Sequence, residues 1–257
     1  MEFRPCIDIH NGKVKQIVGG SLKDQGDQAE ENFVAEQDAA FFAKLYRNAG
    51  LKGGHIILLN PTDSPYYSET KRQAFLALSA YPGGLQVGGG ITPGNAEEYL
   101  KAGASHVIVT SYVFQEGRIH FDRLNELVSA VGKERLVLDV SCKRRGGSYV
   151  VMTDRWQKET DEIVDQELLD RLSECCDEFL IHAVDVEGRS GGIERELVEL
   201  LGRFEARPVT YAGGIHTLSD LQAIRNLGQG RVNFTIGSAL DLFGGKLKWE
   251  DVLSECR

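Results

Sequence analysis

Two aspartates interrupt short apolar runs: Asp8 in Ile7-Asp8-Ile9 and Asp139 in Leu138-Asp139-Val140. Burying a carboxylate beside such a run costs free energy unless the group is paired or used. Either one alone would read as a cap or turn former. As a matched pair they read as a general acid and a general base for proton transfer. Two glycine motifs match in the same way. Gly89-Gly90-Ile91 follows one apolar run and Gly213-Gly214-Ile215 another, while Thr110-Ser111 and Gly237-Ser238 close the runs that come next. Glycine lets the backbone approach an anion, and a following helix N-terminus offers free N–H groups, so Gly89, Gly90, Thr110, Ser111, Gly213, Gly214, Gly237 and Ser238 are candidate phosphate-binding residues.

These motifs need elements to hold them. Strands are predicted over Arg4–Ile9, His55–Leu59, Gly84–Val87, His106–Thr110, Arg135–Val140, Phe179–Ala183, Pro208–Tyr211 and Val232–Ile236. Helical patterns lie between them over Asp38–Ala49, Glu69–Ala80, Ala96–Ala102, Phe121–Val131, Asp165–Cys175, Glu194–Phe204 and Leu218–Leu227. Eight strands alternating with helices predict an α/β fold, a single (β/α)8 TIM barrel. Each motif of the first half returns in the same order about half the chain later. The barrel therefore reads as two similar (β/α)4 halves, roughly 1–132 and 133–257, within one domain. Turns at His10-Asn11-Gly12 and Arg145-Gly146-Gly147 predict hairpins continuing into Lys13–Val18 and Ser148–Thr153. In an eight-stranded ring, strands 1 and 5 are opposite each other. So are the strand 3/4 and strand 7/8 ends. An elongated ligand with two phosphates would then be anchored at both ends, with its centre over Asp8 and Asp139.

The chain of 257 residues has 42% hydrophobic residues and a net charge of −9. The acidic balance argues against a nucleic-acid partner. The five cysteines show no metal-ligand spacing, so reduced thiols and no metal are expected. No apolar run is long enough for a membrane span, and the expectation is a cytoplasmic protein.

These residues resemble the phosphoribosylformimino-5-aminoimidazole carboxamide ribotide isomerase family of histidine biosynthesis, and its eukaryotic branch in particular. The likeness runs from Pro5 to about Leu242. It is carried by Pro5-Cys6-Ile7-Asp8-Ile9-His10-Asn11-Gly12-Lys13-Val14, by Asp139 with the Arg145-Gly146-Gly147 hairpin, and by Trp156. The resemblance implies an Amadori rearrangement of an aminoaldose to an aminoketose, with no cofactor, usually in a monomer. It implies Asp8 as general base and Asp139 as the acid that opens the ribose ring. Loop 6 departs from the bacterial pattern, since His182 and Glu187 stand where Thr and Asp are usual, and Asn60 ends strand 2 where Asp is frequent. Trp156 could stack on the imidazole base, Arg145 could meet the substrate, and His182 could hold the acid's carboxylate. Lys15, Lys23, Arg144 and Arg145 otherwise read as solvated. His55 and His106 read as facing away from the site.

Three other readings compete. The cyclase subunit of imidazole glycerol phosphate synthase shares the fold, but it carries a Lys where this chain has Gln16, and its strand 5 Asp is followed by a different sequence. Phosphoribosylanthranilate isomerase acts on a monophosphate, which would leave one phosphate site unused. A non-catalytic phosphate-binding barrel would not need both carboxylates.

Overall fold

The structure is a computed structural model. It describes the whole chain apart from residues 19–20, 23–26, 155, 188–190 and 257. Eight parallel strands form a ring: β1 (Cys6–His10), β2 (Gly54–Leu58), β3 (Leu85–Gly88), β4 (Val107–Val109), β5 (Leu136–Arg145), β6 (Glu178–Ala183), β7 (Val209–Ala212) and β8 (Asn233–Thr235). Each pairs with the next in chain order. The ring closes where Phe3 bridges Phe234: the Arg4 N–H donates to the Phe234 carbonyl at 2.8 Å and the Phe234 N–H to the Glu2 carbonyl at 3.0 Å. The fold is a (β/α)8 barrel.

Helices α1 (Ala39–Asn48), α2 (Tyr67–Ala80), α3 (Ala96–Lys101), α4 (Phe121–Val131), α5 (Gln166–Ser173), α6 (Arg195–Arg203), α7 (Leu218–Leu227) and α8 (Trp249–Glu255) cover the ring. Several starts are written locally. The Asp38 side chain accepts from the Phe41 N–H and the Asp165 side chain from the Leu168 N–H, and Thr217 with Asp220 forms a capping box.

Strand periodicity decides where the site can be. On β5, Leu136, Leu138 and Val140 join the large core under the helices, while Val137 belongs to a second buried cluster with Ile108, Leu180, Ala212 and Ile57. That cluster fills the inside of the ring. Because side chains alternate along a strand, two residues further on from Val137, Leu180 and Ile108 come Asp139, His182 and Thr110. Two residues back from Leu180 is Glu178. Its carboxylate accepts from Gln86 Nε2 and Thr210 Oγ1, both at 2.9 Å, and pairs with Arg4. The inside of the barrel is thus satisfied polar at one end, apolar in the middle, and chemically loaded at the C-terminal ends of the strands.

The predicted strands and helices are present, with bounds differing by a few residues. Four strands, a 3-10 turn and a last helix were not anticipated. β5 itself extends to Arg145 and turns at Gly146-Gly147 into the predicted hairpin strand Ser148–Thr153, and a third strand, Lys158–Ile163, pairs with that one. The β1 hairpin, Lys13–Ile17, likewise gains Glu31–Val34. Both added strands are polar and exposed on one side, so they lack the apolar run that marks a barrel strand. A small hairpin, Phe114–Gln115 with Arg118–Ile119, separates β4 from α4 and has no counterpart after β8, where a 3-10 turn, Asp241–Phe243, follows instead. The last helix, α8, is short.

Candidate active site

A cavity of about 550 Å³ opens over the C-terminal ends of the strands, and Asp8 and Asp139 both line it from opposite staves of the ring. Gly89, Gly90, Thr110 and Ser111 line it on one side, and Gly213, Gly214, Gly237 and Ser238 on the other. Trp156, His182 and Glu187 complete the set of predicted residues that the fold brings together there. Arg145 does not join them. It lies exposed on the β5 hairpin, where its guanidinium pairs with Glu159.

Asp139 is buried, with 7% of its surface exposed. Its Oδ1 is 2.7 Å from His182 Nδ1, and its Oδ2 accepts from Thr110 Oγ1 at 3.3 Å. Burial opposes a charge on His182, but the Asp139 carboxylate, through charge and hydrogen bond, holds the imidazole up at about 9, with Glu187 and Asp8 adding to it. Asp8 is half-buried, and its Oδ2 accepts from Gln16 Nε2 at 3.1 Å. Loss of water and then the nearby Glu187 carboxylate push the Asp8 carboxyl up to about 7, against His182 and the Gln16 hydrogen bond. Glu187 is itself raised, by burial first, and its Oε2 is sealed from solvent with no hydrogen-bond partner. The Asp8 and Glu187 carboxyls and the His182 imidazole therefore have their proton affinities moved by burial and by one another in a single pocket. Such tuning suits a site that must both give and take protons near neutral pH.

The glycine motifs are built alike. Gly89 and Gly213 have φ of 105° and 131°, and a Cβ at either would strike the carbonyl at the end of the preceding barrel strand: Leu58 O at 2.2 Å and Ala183 O at 3.0 Å. Each close approach tucks the chain under its neighbour and leaves the following residues facing the cavity. Gly89→Ala is expected to cost about 2 kcal/mol or more, from the left-handed backbone and the carbonyl clash together. It should also raise the KM for a phosphorylated substrate. Chemical denaturation beside substrate titration checks this, and a variant with wild-type stability and KM would remove the anchoring role of this turn.

Trp156 sits over His182 with ring centroids 6.4 Å apart and planes at 43°. It is held in the left-handed region at φ 68°, as is Asp154 at φ 51°. Strained residues of this kind persist where their surroundings fix them. Here the Asp154 carboxylate accepts from the Glu116 N–H at 2.9 Å, and Thr153 Oγ1 accepts from the Gly117 N–H at 2.9 Å. The unanticipated small hairpin after β4 thus clamps the loop that carries Trp156.

Other readings of single residues change. His55 faces the site: it is buried, lines the cavity, and is the register partner of Cys6 on β1. Burial drives its imidazole down to about 3, so it is neutral. The ligating atoms of Cys6, Asp8 and His55 lie within 4.8 Å of one another, the one such trio among the described residues, which the spacing in sequence gave no reason to expect. His106 does face away, toward Asp177. Lys15 is buried and paired with Glu31, and Arg144 is tied to Glu196 at 2.6 Å. Lys23 lies outside the described residues.

A family model described as histidine biosynthesis protein matches residues 2–248. The chain belongs to that family. Within it, the chain is 52% identical to a protein of Medicago truncatula named 1-(5-phosphoribosyl)-5-((5-phosphoribosylamino)methylideneamino)imidazole-4-carboxamide isomerase HISN3, chloroplastic; the match covers 99% of this chain and 81% of the relative. It is 47% identical to the isomerase of the same name from Yarrowia lipolytica, over 97% of this chain and 96% of the relative. The Saccharomyces cerevisiae isomerase is 42% identical, again over 97% and 96%.

Seen as a member of this family, the chain holds site groups that sequence reasoning passed over. Gln16, which stands where the related cyclase has a Lys, is the hydrogen-bond donor to Asp8. Its i+8 position, across the hairpin from Asp8, was the available signal. Asn60 Oδ1 accepts from the Asn11 N–H at 2.8 Å and Thr70 Oγ1 at 2.7 Å, so it pins the β1 turn to the end of β2. Thr235, Ser141 and Cys6 also line the cavity, and nothing in their local sequence marks them.

Proposed function

We propose that the chain catalyses the isomerisation for which its relatives are named: an aminoaldose becomes an aminoketose, with Asp8 as the base and Asp139 at the centre of the acid side. One observation carries the assignment. The two aspartates line one cavity from β1 and β5, and the paired glycine turns flank them from β3/β4 and β7/β8. A substrate with a phosphate at each end fits that cross. Its remote binding energy holds the reacting carbons over the carboxylates. The acid side protonates the ribose ring oxygen as the C1–O bond breaks, giving a Schiff base. Asp8 takes the C2 proton, and the resulting enolamine passes to the ketone with a proton returned to C1. Gly89, Gly90, Thr110 and Ser111 would take one phosphate, and Gly213, Gly214, Gly237 and Ser238 the other. Trp156 would stack on the imidazole base.

Turnover of the purified chain with the aminoaldose bis-phosphate, followed by absorbance with chelator present, tests this. Conversion to the aminoketose is expected. Inertness toward it, with consumption of the aminoketose when ammonia is supplied, would make the chain the cyclase. Binding without turnover of either would make it a non-catalytic barrel.

The Glu187 charge gives a second check. Glu187→Gln removes the like charge that helps hold Asp8 protonated, so the acidic limb of kcat/KM should move down from about pH 7 by roughly half a unit. An unmoved limb would separate Glu187 from the base.

The same reading takes the chain as one domain of two half-barrels, monomeric, cytoplasmic and without a nucleic-acid partner. The five cysteines are free thiols, and the exposed large apolar residues among those described, Val34, Phe41, Tyr66 and Ile163, are scattered. No helix of the described residues is long and apolar enough to cross a membrane. Sedimentation and cell fractionation are the measurements.

A further inference from the structure

We propose that the proton delivered to the substrate's ring oxygen comes from His182, so that His182 is the general acid and Asp139 is the residue that positions it. This rests on the isomerase reading above and changes the assignment within it.

The hydrogen bonds of Asp139 motivate the change. Its Oδ1 is bound to His182 Nδ1 at 2.7 Å and its Oδ2 accepts from Thr110 Oγ1 at 3.3 Å. Both oxygens of Asp139 are thus engaged by protein groups, so neither is left to face the substrate. His182 is placed differently. Its Nδ1 is occupied by Asp139, its Nε2 has no hydrogen-bond partner among the described residues, and the side chain lines the cavity beneath Trp156. A carboxylate on one ring nitrogen fixes the ring and presents the other nitrogen to the substrate.

The charges around the ring favour the protonated form. The titratable groups that act on His182 are Asp139 on β5, Glu187 after β6, Asp8 on β1 and His55 on β2. Three carboxylates face it against a single neutral imidazole. Their sum outweighs burial and leaves the ring protonated up to about pH 9. The proton balance closes on these groups. The His182 Nε2–H bond breaks as the ring oxygen gains the proton and the C1–O bond cleaves, with the amine nitrogen's lone pair forming C=N. Asp8 removes the C2 proton and returns it to C1. The neutral His182 regains a proton from the C2 hydroxyl as that becomes the carbonyl. No oxidant or other reactant is needed.

The pH dependence of kcat/KM for wild type, His182→Gln and Asp139→Asn, with a nitrogen-15 NMR titration of His182, separates the two acids. Gln keeps a donor toward Asp139 but cannot carry the proton. The expected result is a wild-type basic limb near pH 9 that is missing in His182→Gln, with kcat down about 100-fold. In Asp139→Asn the limb should remain but lie at lower pH. The NMR signal should show a doubly protonated ring at pH 7.5. The idea is overturned by a neutral His182 at that pH, or by a basic limb that survives in His182→Gln and disappears in Asp139→Asn. Should wild type not turn over the aminoaldose, the isomerase reading itself fails, and the NMR titration still reports the charge on His182.

Discussion

Asp8→Asn is expected to lose about two to four orders of magnitude in kcat and, at the same time, to melt at a higher temperature than wild type at pH 8. The kinetic half follows from removing the β1 carboxylate that lines the cavity and takes the C2 proton. The stability half follows from the shift of its carboxyl from an ordinary 3.8 to about 7. Between those values the unfolded chain has released the proton and the folded chain still holds it. Stability therefore falls as pH rises through that window, and the whole penalty persists above pH 7. A shift of about three units corresponds to about 4 kcal/mol at 1.36 kcal/mol per unit, and the partial exposure of Asp8 reduces this to about 1–3 kcal/mol. Asn keeps the shape and can still accept from Gln16 without carrying the charge. Thermal melts at pH 4 and pH 8 check the sign: the variant's advantage should be present at pH 8 and vanish at pH 4. A variant that melts below wild type at pH 8 would mean that the Asp8 carboxylate stabilises the barrel. This is the cost of keeping a dry base, and enzymes commonly carry such costs at their sites.

Asp139→Asn should be nearly as damaging, by about two to three orders of magnitude in kcat/KM at pH 7.5. The amide oxygen can still accept from His182 Nδ1 while the amide NH2 donates to Thr110 Oγ1, so the contacts at 2.7 Å and 3.3 Å have partners to maintain them. What is lost is the charge. Without it burial dominates at His182, whose proton is then released well below pH 9. Stability carries the matching signature. A base whose folded pKa is raised, here from 6.5 to about 9, contributes stability in full below its unfolded value and loses it as pH rises through the folded value. Wild type should therefore lose this contribution between about pH 6.5 and 9, and the variant should be flatter over that range. Melts across pH 6 to 10, beside single-turnover rates, measure both. Wild-type turnover in Asp139→Asn would remove the residue from the acid side altogether.

Much of this architecture is one-dimensional information. Apolar runs of strand length, capped helices between them, and two aspartates at corresponding strand ends are local patterns, and local patterns survive without knowledge of the fold. The glycine turns were legible for the same reason: the left-handed backbone that Gly89 and Gly213 adopt is a local demand. Alternation then carries Asp139 and His182 to the same end of the ring once Val137 and Leu180 are known to face inward.

The inward phase itself was harder to see. A barrel strand is covered on both faces, so it lacks the apolar–polar alternation that would tell inside from outside. His55 was accordingly read as facing away, although its register with Cys6 turns it into the cavity. Hairpin side chains such as Lys15 and Arg145 depend on which acidic neighbour the second and third strands supply, and those strands carry no apolar signal. The barrel, the pair of carboxylates and the doubled glycine turns are legible in the chain alone, because each is fixed by period, length or backbone conformation. The protonation of Asp8 and His182 is instead set by the fold. That depends on Gln16, His182 and Glu187 arriving from other segments in a pocket dry enough for their charges to act strongly on one another.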